Sequence, residues 1–302
     1  MDNLASGKRE NLSHHLGQRG FELFHGDVTD PLDVERVMEG IDVVFHLACL
    51  GVRHSIAHPF DTHRVNAEGS LLMLDAAFRA KVDRFVYCSS SEVYGTAQYV
   101  PMPESHPTQP STIYGSSKLA GEAYTRAYYE AYGMPTVVVR PFNTYGPRSH
   151  YEGDAGEMIP KSIVRALNKE PILIFGDGSQ TRDFTYVEDM AKALVCAAES
   201  DAMIGQTLNI GSNSEISMKD LAHKIAHMVN SPETHISFEP ERPGDVRRLC
   251  ADSRRFMELC GWEPRISLDE GLARTITFFR THPLGLKALM KGESGRNWEG
   301  QY

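Results

Sequence analysis

Short apolar runs rich in Val, Ile and Phe alternate along the chain with longer stretches whose apolar positions recur at helical spacing. Strand and helix units feeding a parallel sheet produce this alternation, because each crossover lays an amphipathic helix over a strand buried on both faces. Phe21 to His25 reads as a strand, Asp30 and Pro31 as a helix cap with proline in the first turn, and Leu32 to Met38 as the short helix after it. Val43 to Ala48 is the next strand. Pro59 to Ala80 reads as a helix, with Val65, Leu72, Ala76 and Phe78 set among polar neighbours, and Phe85 to Ser89 as the strand after it. A polar, proline-rich loop leads to a helix at Tyr114 to Tyr132, ended by Gly133. The strand at Thr136 to Arg140 carries three consecutive valines, as a sheet covered on both sides requires.

Beyond Arg148 the character changes. A polar, glycine-bearing segment to Gly156 precedes a helix at Ile159 to Leu167, a strand at Ile172 to Phe175 and a turn at Gly176 to Gly178. A helix at Glu188 to Glu199 and a strand at Thr207 to Ile210 then resume the earlier rhythm. The pattern predicts one α/β domain built from residues 1–147 and 181–212, and a smaller one from 148–180 and 213–302. No internal repeat is visible, and the polar stretch from Glu293 to Tyr302 is expected to be loosely ordered.

Composition narrows the function. The chain has 302 residues, 31 basic against 40 acidic, and a net charge of −9, which argues against partners bound through counterion release, such as nucleic acid or an anionic membrane. No window approaches 18 consecutive apolar residues, and the opening residues lack a basic and then apolar leader, so a cytoplasmic protein is expected. The five cysteines, Cys49, Cys88, Cys196, Cys250 and Cys260, form no C-x-x-C pair and are expected to be reduced and mostly buried. His54 with His58, and His223 with His227, stand four apart, but neither pair has the glutamate or third ligand of a zinc site, and no metal is expected.

The residues that suggest chemistry are Ser90, Tyr114 and Lys118. Tyr114 and Lys118 are four apart on one predicted helix and share a face, where an ammonium favours phenolate over phenol and is expected to make the tyrosine a usable base. About two dozen residues earlier, Ser89 to Gly95 lies at the carboxyl end of a predicted strand, where open parallel sheets bind ligands. These runs, together with Phe45 to Ala48, Tyr114 to Lys118, Arg140 to Pro147 and Arg182 to Phe184, resemble the extended short-chain dehydrogenase/reductase family. More narrowly they resemble its NAD-dependent nucleotide-sugar epimerases and dehydratases, over Asp2 to roughly Leu272.

The resemblance implies a Rossmann-like, doubly wound parallel sheet binding NAD, with a smaller α/β C-terminal domain binding the nucleotide sugar. It implies Tyr114 as base at the sugar 4-hydroxyl, Lys118 on the nicotinamide ribose and Ser90 hydrogen-bonding the reacting oxygen. Asp2, Asn3, Asp27, Val28, Leu47, Ala48, Asn66, Ser89 and Pro141 would complete the NAD site. Ser91, Glu92, Asn143, Arg182, Arg242 and Asp245 would meet the substrate, the arginines on its diphosphate. A UDP-sugar is the expected substrate and a homodimer through the 59–80 and 114–132 helices the expected assembly.

Glu92 divides the possible reactions. Once C4 is a ketone, a carboxylate here could remove the C5 proton, as the resemblance to the 4,6-dehydratases implies, and the UDP-glucuronate decarboxylases also carry Ser-Glu here. The dehydratase pattern has an aspartate where this chain has Ser91, so C4 epimerisation is the expected reaction; a non-catalytic nucleotide-sugar binder is the reading from another class. The sequence holds no G-x-x-G-x-x-G run, and Asp2 to Gly7 resembles the segment just after the second strand in the family. The sheet is therefore expected to be N-terminally truncated, with weaker NAD binding than a form carrying that unit.

Overall fold

The computed structural model describes residues 1–231, 233–296 and 298. Among them the strands are β1 (Val43–His46), β2 (Arg84–Cys88), β3 (Thr136–Pro141), β4 (Asn143–Tyr145), β5 (Ile172–Phe175), β6 (Thr181–Arg182), β7 (Phe184–Tyr186), β8 (Thr207–Ile210), β9 (Ile216–Ser217) and β10 (Ile236–Glu239). The helices are α1 (Pro31–Val37), α2 (Val52–Ala57), α3 (Pro59–His63), α4 (Gly69–Ala80), α5 (Ile113–Tyr132), α6 (Met158–Leu167), α7 (Val187–Glu199), α8 (Met218–Met228), α9 (Arg254–Cys260), α10 (Leu268–Arg280) and α11 (Leu286–Gly292).

A four-stranded parallel sheet runs β1-β2-β3-β8, so the chain does return to its first sheet after the 148–180 excursion. The period of two along each strand sorts its residues between two layers. Phe85, Tyr87 and Val138 face Val34, Met73 and Leu74 on one side; Val86, Val137 and Val139 face Met190, Ala193 and Phe256 on the other. The three valines of β3 are thus buried from both sides, as read from the sequence. A second core gathers α6, α8 and α10 over the parallel pair β5 and β10, with Ile163, Ile172, Leu221 and Ile276 inside. Strands β4 and β7 pair in parallel, and β6, which carries Arg182, pairs with β9 antiparallel.

Four expectations need correction. Phe21 to His25 forms no strand: its pairing is one bridge between Asp2 and His25, with Asp2 N–H donating to Phe24 at 3.1 Å and Gly26 N–H to Asp2 at 3.2 Å. With one partner residue there is no ladder to propagate. The 59–80 helix is not uniform, because Arg64–Glu68 is a π-helical turn between α3 and α4, a distortion that often marks functional sites. The C-terminal stretch is anchored where it is described: the Glu293 side chain is 2% exposed and pairs with Lys161 at 3.3 Å and Arg165 at 2.6 Å, while Trp298 packs edge-on against Phe175. Asn297 and Glu299 to Tyr302 lie outside the described residues. The cysteines are all free, but only Cys250 is buried; Cys49 is exposed at the carboxyl end of the sheet, where chain leaves the packed layers. Among the described residues no helix is long and apolar enough to cross a membrane.

Candidate active site

Every strand of the four-stranded sheet ends on the same side, and the chain reversals there carry the candidate residues. After β2, Ser90 caps a short 3₁₀ turn (Ser91–Val93) by accepting the Glu92 N–H at 3.2 Å. Thr112 caps α5 by accepting the Gly115 N–H at 3.1 Å, and that start places Tyr114 and Lys118 against the same strand end. Lys118 is buried, donates to the Cys88 carbonyl at 2.8 Å and lies 5.4 Å from the Tyr87 ring centre. The Ser90 hydroxyl lies near enough to the Tyr114 phenol to pull its pKa down. Ser90, Tyr114 and Lys118 therefore converge, as their spacing predicts.

One part of the electrostatic expectation is reversed. Burial lifts the Tyr114 phenol above its ordinary value, and the negative charge a Cys49 thiolate would carry adds to the rise; Lys118 and the Ser90 hydroxyl pull it back only in part. In the protein alone the proton stays on the phenol, because desolvation of phenolate outweighs one ammonium. Lys118 is held above its usual value: burial works against its charge, but Cys49, Tyr87 and Tyr114 outweigh that cost.

The turn after β1 is fixed from outside the sheet. Asn66, buried in the π-turn, accepts the Leu50 N–H at 2.8 Å and donates to the Leu50 carbonyl at 2.9 Å. This clamp leaves Leu47, Ala48 and Cys49 exposed beside the Tyr114–Lys118 face, an apolar ledge next to a buried cation. At the far end Asn3 donates to Asp27 at 2.8 Å, and Asp27 also accepts from Thr29, which holds its carboxyl below the usual range against the opposing pull of desolvation. Val28 is buried beneath, and Pro141, ending β3, is half-buried. Asp2 accepts the Leu4 N–H at 2.7 Å. The Ser89 hydroxyl is turned away: it donates to Glu122 at 2.5 Å, so Ser89 has only backbone to offer a ligand. The ledge, the ammonium and the polar pair at its far end fit the nicotinamide, ribose and adenosine parts of NAD.

His46, from the same strand, is buried, and its Nε2 lies 2.9 Å from the Ser70 hydroxyl, which itself donates to the Asn66 carbonyl at 2.6 Å. Burial, aided by Lys118, depresses its pKa from 6.5 to about 3. The folded value lies below the unfolded one, so the contribution to stability is complete above pH 6.5 and disappears as pH falls toward 3. Between those limits the unfolded chain binds one more proton here, and stability drops by about 1.4 kcal/mol per pH unit. Denaturant titrations at pH 7, 6 and 5 check this: a His46→Gln variant is expected to show the shallower dependence, and equal slopes would refute it.

On the other side of the cleft a second cluster forms. Arg182 and Arg242 both donate to Asp245 Oδ1, at 2.8 and 2.6 Å, and Arg182 also donates to the Thr181 carbonyl. Burial pushes the Glu92 carboxyl up toward its neutral form, while Arg182, Arg242 and Arg53 resist the shift. Ser91 is buried behind Glu92, and Asn143 is half-buried, its amide 3.3 Å from the Asp183 carbonyl. The predicted substrate residues thus come together. Arg53 was missed by reading the sequence: it sits in α2, in no motif, and its charge acts on Glu92 in the folded protein. His54 beside it pairs with Asp154 at 2.5 Å and stacks on His58, and among the described residues no group of three or more His, Cys, Asp or Glu side chains could hold a metal ion.

Comparison with known proteins gives a consistent picture. A family model described as GDP-mannose 4,6 dehydratase matches residues 1–275. The chain is 37% identical over 290 residues to the UDP-glucose 4-epimerase of Mycolicibacterium smegmatis, covering 93% of this chain and 90% of that protein. It is 33% identical to UDP-glucuronic acid decarboxylase 2 of Arabidopsis thaliana, covering 94% of this chain and 63% of that protein. The crystal structure of Thermus thermophilus UDP-glucose 4-epimerase complexed with NAD superposes with a TM-score of 0.84 at 30% identity, covering 93% and 90% of the two chains.

Proposed function

Because the chain belongs to the GDP-mannose 4,6 dehydratase family of extended short-chain dehydrogenase/reductases, NAD-dependent enzymes that act on nucleotide sugars, we propose that it epimerises a UDP-linked sugar at C4. The observation that carries this is the convergence of Ser90, Tyr114 and Lys118, with Lys118 committed to the Cys88 carbonyl. Held beside these residues, NAD would supply the hydride acceptor for C4. Tyr114, in the phenolate form that Lys118 stabilises, takes the 4-hydroxyl proton and gives it back, Ser90 holds the reacting oxygen, and Lys118 also positions the ribose. Asp2, Asn3, Asp27, Leu47, Ala48 and Asn66 support the cofactor side; Asn143, Arg182, Arg242 and Asp245 receive the nucleotide diphosphate. Residues 1–147 with 181–212 serve the cofactor, and 148–180 with 213–302 the sugar nucleotide.

Loss of water needs a C5 base, and a Glu92 pushed toward neutrality by burial is a hydrogen-bond donor rather than that base. This favours epimerisation over dehydration. We place the enzyme in the cytoplasm as a homodimer: Phe60, Phe78 and Tyr132, on α3, α4 and α5, are large and exposed, as an intersubunit helix face would be. Incubation with NAD and a panel of UDP-sugars tests the reaction. Unchanged mass with a new C4 epimer by proton NMR is the expected result; loss of water or carbon dioxide, or no conversion of any sugar, would overturn it.

A further inference from the structure

The run Arg242-Pro243-Gly244-Asp245 suits a tight turn, because proline presets the second position and glycine enters the left-handed region at the third without steric cost. The structure has that turn. Asp245 N–H donates to the Arg242 carbonyl at 3.3 Å, and Gly244 has φ +71°. Its two end residues are also joined through their side chains, Arg242 Nη2 donating to Asp245 Oδ1 at 2.6 Å, and Arg182 reaches the same oxygen at 2.8 Å. The tip of the turn is therefore tied to the whole Arg182–Arg242–Asp245 cluster.

That tip rests on the start of α5. A methyl group added at Gly244 would lie 3.1 Å from Thr112 Cγ2 and 3.2 Å from the Ser111 carbonyl oxygen, closer than ordinary van der Waals contact. Thr112 does not retreat cheaply: its hydroxyl caps the helix by accepting the Gly115 N–H at 3.1 Å, and its carbonyl accepts the Ser116 N–H at 3.0 Å. Tyr114 follows two residues later. The Ser90 side of the site approaches the same helical turn, since a methyl group at Gly115 would lie 2.6 Å from the Glu92 carbonyl oxygen. Two glycines thus allow the turn that carries the arginines and the turn that carries Ser90 to pack against the first turn of α5.

Resting on the nucleotide-sugar reading above, we infer that Gly244 is a positioning residue: by letting the turn that carries Arg242 and Asp245 sit directly on the first turn of α5, it sets the distance from the diphosphate to the Tyr114 hydroxyl. A sugar nucleotide held at its diphosphate has a limited reach to C4. Pushing the turn away from α5 by a few tenths of an ångström, as a side chain at Gly244 requires, moves the 4-hydroxyl off its base while leaving the arginines and Asp245 joined to one another. Misplacement of that kind lowers rate more than affinity, because proton and hydride transfer depend on alignment of the reacting atoms.

The test compares the wild type with Gly244→Ala, Thr112→Ser, the double variant of both, and Gly261→Ala, all with NAD present. Thr112→Ser keeps the capping hydroxyl and removes the methyl group that the new side chain would strike. Gly261→Ala is the control for backbone strain, since Gly261 has φ +68° and no atom within 4 Å of an added methyl group. Three quantities are read: kcat on the UDP-sugar that the wild type converts, calorimetric affinity for UDP, and the carbon-13 signal of Tyr114 Cζ, assigned through its loss in Tyr114→Phe. Gly244→Ala is expected to lower kcat about 30-fold, to keep UDP affinity within about threefold, and to move the Tyr114 signal. Adding Thr112→Ser is expected to restore about fivefold of that kcat and to return the signal toward its wild-type position, a recovery that neither left-handed strain nor damaged folding would show. Gly261→Ala is expected to change neither. Full kcat in Gly244→Ala overturns the inference; so does a UDP affinity that falls as far as kcat, or a double variant no better than Gly244→Ala. A Tyr114 signal moved by Gly244→Ala and restored in the double variant, in a protein that converts no sugar, leaves the spacing role standing and removes the epimerase reading. Conversion by the wild type with kcat and signal unchanged in Gly244→Ala does the reverse.

Discussion

A Tyr114→Phe variant turns over UDP-sugar on the order of 10³-fold more slowly than wild type while keeping its fold, within the range by which one positioned acid–base group accelerates proton transfer. The size of the effect follows from the absence of a substitute nearby. Lys118 is charged, buried and committed to the Cys88 carbonyl; Ser90 is a hydroxyl without a base of its own; Glu92 is driven toward its neutral form by burial. The same surroundings set the pH dependence. Burial holds the Tyr114 phenol above its ordinary pKa, so the phenolate fraction, and with it kcat, is expected to climb as pH rises from 7 to 9 in the wild type and to stay flat in the variant. Rates followed by proton NMR of the two C4 epimers check both statements. A phenylalanine variant within tenfold of wild type would remove Tyr114 from the chemistry.

The tyrosine also shows where the sequence was legible and where it was not. Helix spacing alone put Tyr114 and Lys118 on one face, and the stop at Gly133 bounded the C-terminal end of α5, since both depend on local geometry. The balance between an ammonium and the cost of burying a phenolate depends on how much of the cleft wall encloses the ring, a tertiary quantity that no spacing encodes. The π-turn at Arg64–Glu68 escaped for a similar reason: it carries Asn66, which reaches across to Leu50, a contact between elements. Arg53 lies on a turn that carries no motif. Phe21 to His25 had a strand's composition, but a strand needs neighbours, and Asp2 supplies one bridge.

Replacing Arg140 with methionine is expected to destabilise the protein by about 3–5 kcal/mol, the usual cost of leaving one member of a buried ion pair alone. Glu122 is fully buried inside α5 and Arg140 nearly so in β3; Nε meets Oε1 at 2.8 Å and Nη2 meets Oε2 at 2.7 Å, a two-pronged contact. Arg140 Nη1 also donates to the Tyr94 hydroxyl at 2.8 Å, and Tyr94 in turn donates to Asn209 at 2.7 Å, tying β3 to β8 and to the loop after Ser90. Methionine fills the volume but removes every one of these donors, so Glu122 retains Ser89 and the half-exposed Arg126 alone. A Glu122→Leu, Arg140→Met double variant is expected to recover most of the loss, because no uncompensated charge remains to be buried. Denaturant titration of the four proteins measures the coupling, and a single variant as stable as the double would show that the pair contributes nothing. The effect reaches the active site through one hydrogen bond: Ser89 holds Glu122 and immediately precedes Ser90, so the double variant regains stability without regaining the anchor, and its turnover is expected to stay below that of the wild type.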